Sequence, residues 1–241
     1  MDIRFFDHLE STNNYCKLLD PDSVEEFTVI CARRQSAGIG QRGNRWESED
    51  YKNLTFSLIL KPTFLATGDQ YRLTMMLAVA ITDSLAAMMP TADVRIKWPN
   101  DIYIGDKKIC GTLVSNNIAS GHISLSICGI GLNVNQSVFP DWVPNPTSMA
   151  LETEQSFELE SVLDGILESI RQRYLQLKES PDSIKPQYMS RLYRLNEKAR
   201  YEYKGKTVEA TITDVDHFGH LHLTCGDGDE ITCDLKEIKF L

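Results

Sequence analysis

The chain predicts an α+β fold, with strands interleaved with two long amphipathic helices and a small all-β module at the end. Three patterns carry this expectation. Leu73, Leu77, Ile81, Leu85 and Met88 fall on one helical stripe that stops at Met89, before Pro90. Leu159, Leu163, Ile166, Ile170, Tyr174 and Leu177 form a second stripe. Its acids, Glu158 and Glu160, come early and its bases, Arg171, Arg173 and Lys178, come late, as the helix dipole prefers. After about Leu195 the texture changes to short alternating segments divided by Lys204-Gly205, Phe218-Gly219 and Gly226-Asp227-Gly228 turns.

The remaining elements follow in order. Ile3 to Phe6 reads as a short strand, and Ser11-Thr12 supplies a hydroxyl N-cap for a helix carrying Tyr15, Leu18 and Leu19. Phe27 to Ala32 and Leu54 to Leu60 are compact apolar runs suited to buried strands. Between them, Arg34 to Asp50 is polar and punctuated by glycine, with no apolar period; a loop of this length is expected to be mobile and functional or disordered. Val94, Ile96 and Trp98 alternate with Arg95 and Lys97, and Ile123 to Ile130 is a further strand. A length of 241 residues suits one large domain with a small appendage, divided here as residues 1–194 and 195–241.

Composition narrows the function classes. With 25 basic and 34 acidic residues, the net charge of −9 argues against a nucleic-acid-binding surface. The six cysteines include no Cys-x-x-Cys and read as reduced thiols of a cytoplasmic protein, a Cys225–Cys233 disulfide being disfavoured. The N-terminus has no leader pattern, and the apolar run Met75 to Ile81 is far short of the ~20 residues of a membrane span.

Two segments stand apart. Gly38-Ile39-Gly40-Gln41-Arg42-Gly43 follows a strand and fits G-x-G-x-x-G, but no helix opens after it and no acidic strand end lies at the required distance. No following strand carries the lysine that a kinase glycine loop needs. What remains is a loop rich in backbone N–H groups with Arg42 and Arg45, which suits a phosphate or is simply a solvated surface loop. The second segment is Lys97-Trp98-Pro99-Asn100-Asp101, leading to a Gly105-Asp106 turn, Lys107-Lys108 and Gly111. A two-residue turn would pair Tyr103 with Lys108, Ile102 with Ile109 and Asp101 with Cys110. Ile102, Ile104 and Ile109 would then face the core, with Asp101 and Lys108 diagonal neighbours about 7–8 Å apart on the other face. Such a pair suits phosphoryl chemistry; equally, the lysines could blunt an edge strand. His220 and His222 alternate on one strand without a third ligand and are expected to face solvent; His8 and His122 are isolated.

Ser11-Thr12-Asn13, Gln35, the Gly38–Trp46 loop, Lys97–Asp101, Lys108 with Gly111, and Gly129–Asn133 occur in an order that resembles the biotin–protein ligases, over nearly the whole chain. The resemblance implies a mixed β-sheet flanked by helices, as in the class II synthetase-like ligase domains, with a C-terminal SH3-like β-barrel. It implies ATP-dependent activation of biotin to biotinyl-5′-AMP and transfer to a lysine of a biotin carboxyl carrier protein. In that reading Lys108, Asp101 and Arg42 are catalytic. Ser11, Thr12, Asn13, Gln35, Gly38, Ile39, Gly40, Gln41, Lys108 and Gly111 bind biotin. Arg42, Arg45, Trp46, Asn100 and Asn133 bind nucleotide, with Trp46 near the adenine. Mg2+ is expected on the ATP phosphates, with no direct protein ligation.

The chain departs from the family's usual G-R-G-R-R-G-R loop, because Ile39, Gln41 and Asn44 stand where arginines are common. Looser retention of the adenylate is the expected consequence. A start at the catalytic strand leads to the expectation of a monofunctional type without an N-terminal DNA-binding module. A homodimer through a sheet edge is compatible with the pattern. The rival readings are a lipoate–protein ligase and a non-catalytic biotin- or nucleotide-binding regulator.

Overall fold

The computed structural model describes residues 1–241 except Lys236 and the side chain of Arg42. The elements are β1 (Asp2–Phe6), α1 (Thr12–Lys17), β2 (Thr28–Ala32), β3 (Leu54–Leu60), α2 (Tyr71–Met88) and β4 (Val94–Lys97). They continue with β5 (Asp101–Ile104), β6 (Lys107–Ala119), β7 (His122–Leu132), α3 (Met149–Thr153), α4 (Leu159–Glu179) and α5 (Ile184–Ser190). Five strands end the chain: β8 (Lys198–Tyr203), β9 (Lys206–Val215), β10 (Leu221–Cys225), β11 (Glu230–Cys233) and β12 (Ile238–Phe240).

The first seven strands form one mixed sheet in the order β1-β2-β3-β7-β6-β5-β4. β1 lies parallel to β2 and every other neighbouring pair is antiparallel. Alternation along the strands decides what each face meets. On β3 and β7, Phe56, Leu58, Leu60, Cys128, Ile130 and Leu132 join the main core with α2 and α4. The intervening Ile59, Leu125 and Ile127 enter a smaller core under α1 with Cys16 and Ile30. Gly129 and Gly131 continue that second row on β7, so beyond α1 this strand lacks side chains on that face and a trough opens along it. Asp83 on α2 holds Arg173 of α4 at 2.5 Å and Arg191, just past α5, at 2.6 Å, tying three helices together.

The last five strands form an antiparallel sheet in the order β11-β10-β9-β8-β12, with no pairing that closes its ends among the described residues. Its inner residues, among them Tyr201, Ile212, Leu221 and Leu223, are continuous with the main core. The sequence reading missed the full length of β6, the short helices α3 and α5, and the last strand, β12. All six cysteines are free, and no helix among the described residues is long and apolar enough to cross a membrane.

Candidate active site

The central hairpin corrects the expected register. Tyr103 does pair with Lys108, but the register then shifts, so Ile102 faces Cys110 and Asp101 faces Gly111. Ile109 is the extra residue of a bulge, which displaces every later partner by one. Ile102, Ile104 and Ile109 are buried as expected. The bulge brings Lys108 over Gly111, and its ammonium forms an ion pair with Asp101 at 2.6 Å. The two are therefore direct partners, closer than diagonal neighbours of a regular hairpin. Backbone bonds fix Lys108 from its outer side: its N–H donates to Asn145 O at 2.7 Å, and its carbonyl accepts from Thr147 N at 2.9 Å.

Residues paired across strands share a face, so Thr55, Gly131, Gly111 and Asp101 form one row across β3, β7, β6 and β5. The two glycines make a trough, and the Trp46 indole lies in it. A Cβ on Gly131 would stand 2.5 Å from Trp46 Nε1, and one on Gly111 would stand 3.1 Å from its Cζ3. Lys108 Nζ sits 5.4 Å from the indole centroid, within cation–π range. The glycine loop delivers Trp46 by folding back on itself. Trp46 N donates to Gly38 O at 3.0 Å, Ile39 bridges Arg45, and Gly40 N donates to Asn44 O at 2.6 Å.

Trp46 and Lys108 form a common wall between two cavities. The first, of about 200 Å³, brings together Ser11, Thr12, Asn13, Gln35, Ile39, Gly40, Gln41, Arg45, Asn100, Asp101 and Gly111 from the sequence reading. It adds Thr112, Leu113, Gly129 and Gly131, which that reading did not single out as site residues. Alternate glycines in a strand otherwise built of apolar residues were the available signal. The second cavity, of about 340 Å³, lies between Trp46, Arg45 and Asn133 on one side and Phe139, Trp142, Val143, Pro144 and Pro146 on the other. No periodicity marked this last segment.

One expected residue sits elsewhere. Gly38 is not in the wall of either cavity; it backs the loop, where a Cβ would meet Trp46 O at 2.6 Å. The Arg42 side chain lies outside the described residues. Lys97 donates to the Tyr103 hydroxyl at 3.0 Å and lies over the Tyr103 and Phe240 rings, so it links the two sheets. Burial lowers its pKa, and the Asp101 carboxylate partly opposes that. His220 and His222 are half-buried, and both rings contact the Asp216 carboxylate, at 2.9 and 3.4 Å, instead of facing solvent unpaired.

The polar groups of the cavities divide into satisfied and unsatisfied sets. Ser11 caps α1 by accepting from Asn14 N, Thr12 N donates to Gln35 Oε1 at 2.7 Å, and Ser57 donates to Thr12 Oγ1 at 2.9 Å. Asn100 donates to Thr112 O through its side chain and accepts from Thr112 N at 2.9 Å through its carbonyl. By contrast, both amide atoms of Asn13, the indole N–H of Trp46 and Oδ1 of Asn133 are buried without a partner. Unpaired buried polar atoms are costly, each about 1–3 kcal/mol. Others lie away from the cavities, at Thr28, Thr67, Ser84 and Tyr201, but only these four are placed where a ligand's polar atoms can complete the bonding.

A glycine-floored cleft with an ammonium at the junction of two chambers can bring two anionic groups together. Comparison with known proteins shows the family. The model of the biotin/lipoate A/B protein ligase family matches residues 5–133, more than half of the chain, and the chain belongs to that family. It is 33% identical over 175 residues to the bifunctional ligase/repressor BirA of Bacillus subtilis, covering 70% of this chain and 53% of that protein. It is 26% identical over 202 residues to the biotin–[acetyl-CoA-carboxylase] ligase of Mycobacterium tuberculosis, covering 82% and 73% of the two chains. The chain thus spans about half the length of the BirA relatives it matches. In fold it is similar to a biotin protein ligase from Aquifex aeolicus, solved with biotin and ATP, at a TM-score of 0.83 and 23% identity, over 100% of this chain and 98% of that one.

Proposed function

We propose that the protein activates biotin with ATP and transfers it to a lysine of a biotin carboxyl carrier protein. The observation that carries this reading is the polarity of the first cavity. Asn13, at the α1 side, offers an unpaired donor and acceptor, and Lys108 offers a cation. Biotin needs both, since its ureido ring donates and accepts hydrogen bonds and its valerate tail ends in a carboxylate. Lipoate's dithiolane has no such hydrogen bonds to offer, so it would leave Asn13 unsatisfied. The nucleotide occupies the second cavity, with Trp46 and Trp142 available to its base.

In the first step a carboxylate oxygen of biotin attacks the α-phosphorus, the bond to the β-phosphate oxygen breaks, and pyrophosphate leaves. Lys108 offsets the repulsion between the two anions and the charge that builds as they meet. Asp101 holds that ammonium at the junction. In the second step a carrier lysine amine attacks the acyl carbon and AMP departs with the bridging oxygen. The glycine loop and Trp46 keep water from the anhydride meanwhile. The unpartnered Asn133 Oδ1 would accept a hydrogen bond from a water of the Mg2+ carried in on the phosphates. When bound, that ion neutralises phosphate charge. Residues 1–194 would hold both chambers, and residues 195–241 would form the SH3-like cap. The free cysteines suit a reducing, cytoplasmic setting.

Incubation with Mg-ATP, a biotin carrier domain and either biotin or lipoate tests the reading. Covalent labelling with biotin is expected; labelling with lipoate alone, or with neither, overturns it. The loop's missing arginines give a further expectation. Gln41 lines the first cavity, so Gln41→Arg adds a charge-assisted bond to the bound adenylate. Release of biotinyl-AMP from the variant should slow by about tenfold, the equivalent of roughly 1.4 kcal/mol. Stopped-flow dissociation checks it, and equal or faster release contradicts it.

A further inference from the structure

The turn between β9 and β10 brings the C-terminal sheet against the segment that leads into Asn100 and Asp101. Asp216 closes that turn. Its Oδ1 accepts from Phe218 N and His220 N, each at 2.9 Å, and its Oδ2 contacts the rings of His220 and His222. Burial would raise this carboxyl, but the bonds from His220 and His222 outweigh it and hold the pKa at about 2. Asp216 N also donates to His220 O at 3.0 Å, and Gly219 N to Asp216 O at 3.1 Å. The turn so fixed presents the Gly219 carbonyl to the buried Trp98, whose Nε1–H donates to it at 2.9 Å. Trp98 is followed directly by Pro99, Asn100 and Asp101.

A second bond holds the same segment. The Tyr71 hydroxyl donates to Pro99 O at 2.9 Å, and the Tyr71 ring packs on Gly219, where a Cβ would stand 2.7 Å from Cε2. Gly219 also has φ +95°, a conformation that side chains rarely adopt. From Asn100 the connection continues through Thr112 on β6, and from Asp101 to the Lys108 ammonium.

We propose that Asp216 is a positioning residue for the ligase reaction. Through Gly219 and Trp98 it sets where Asp101 and Lys108 stand, although it touches no substrate. The inference rests on the proposed ligase activity. It predicts a selective effect: the residues offering hydrogen bonds to biotin, Asn13 above all, lie on α1, at the other end of the cleft. Asp216→Ala removes the acceptor that closes the turn, whereas Asp216→Asn keeps an oxygen for the two backbone N–H groups. Trp98→Phe keeps an aromatic ring and deletes the donor.

Steady-state pyrophosphate release, biotin affinity by calorimetry and amide hydrogen exchange across residues 98–112 form the test. In Asp216→Ala and in Trp98→Phe, kcat for adenylate formation should fall about ten- to a hundredfold, the range a misplacement near 1 Å produces. Biotin affinity should fall much less than kcat, because Asn13 on α1 still meets the ureido ring when the Lys108 contact to the carboxylate is displaced, and the Thr112 amide should exchange faster. Asp216→Asn should restore kcat and protection, and the double variant should be no worse than the more severe single one. Unchanged kcat in both single variants, or biotin affinity falling in step with kcat, overturns the proposal. Should the wild type make no biotinyl-AMP, the activity reading fails; the exchange measurement then decides the positioning claim by itself.

Discussion

Lys108→Ala is expected to lower biotinyl-AMP formation by roughly 10²- to 10³-fold, the cost of deleting one preorganised donor from a site of charge build-up. Two terms add in this chain. The ammonium that meets the biotin carboxylate and the α-phosphate is lost. The Asp101 carboxylate, now paired with that ammonium at 2.6 Å, is left facing two anionic substrates. Lys108→Arg should rescue little, because Lys108 lies between Trp46, Asp101 and Gly111, and a planar guanidinium needs a different approach to both anions. Pyrophosphate release in single turnover is the measurement. A Lys108→Ala protein that forms the adenylate at full rate would remove the basis of the proposed mechanism.

Gly131→Ala is the second large effect. The added methyl would stand 2.5 Å from Trp46 Nε1, a separation that no repacking of the rigid indole accommodates in place. Gly131 is in the middle of the sheet, hydrogen-bonded between β3 and β6, so the backbone cannot yield and the ring must leave. Overpacking of this kind costs about 1–3 kcal/mol. If Trp46 is the shared wall of the two chambers, its displacement should raise KM for ATP by about tenfold or more, the equivalent of ~1.4 kcal/mol per decade. Steady-state kinetics with each substrate in turn checks this, and unchanged KM for ATP contradicts it. Trp46→Ala in the Gly131→Ala background should add little, since the indole has already been displaced.

Much of this could be read from the residues. The long helices were legible because their stripes run over four or more turns. The strand β2 was legible because β-branched and apolar residues fill it without interruption, and β3 because only Ser57 breaks such a run. The glycine loop, Lys108 and Asp101 stood out by residue type alone. The second cavity did not. Its outer wall, Phe139 to Pro146, has neither helical nor strand period, and the segment is held against the site by backbone bonds of Lys108 to Asn145 and Thr147. The role of Trp98 was equally hidden, since its partner is a backbone carbonyl 121 positions away. The hairpin register failed for a local reason. A two-residue turn dictates regular pairing unless a bulge intervenes, and no residue at positions 102–110 announces one.

That bulge limits how the hairpin can vary. Without Ile109 the strand would pair regularly, and Tyr103 would still face Lys108 while Asp101 still faced Gly111. The extra residue therefore changes the distance between ammonium and carboxylate, not the face on which either stands. An engineered deletion of Ile109 would keep both groups on the cleft side and separate them, which makes the bulge a spacer for the ion pair.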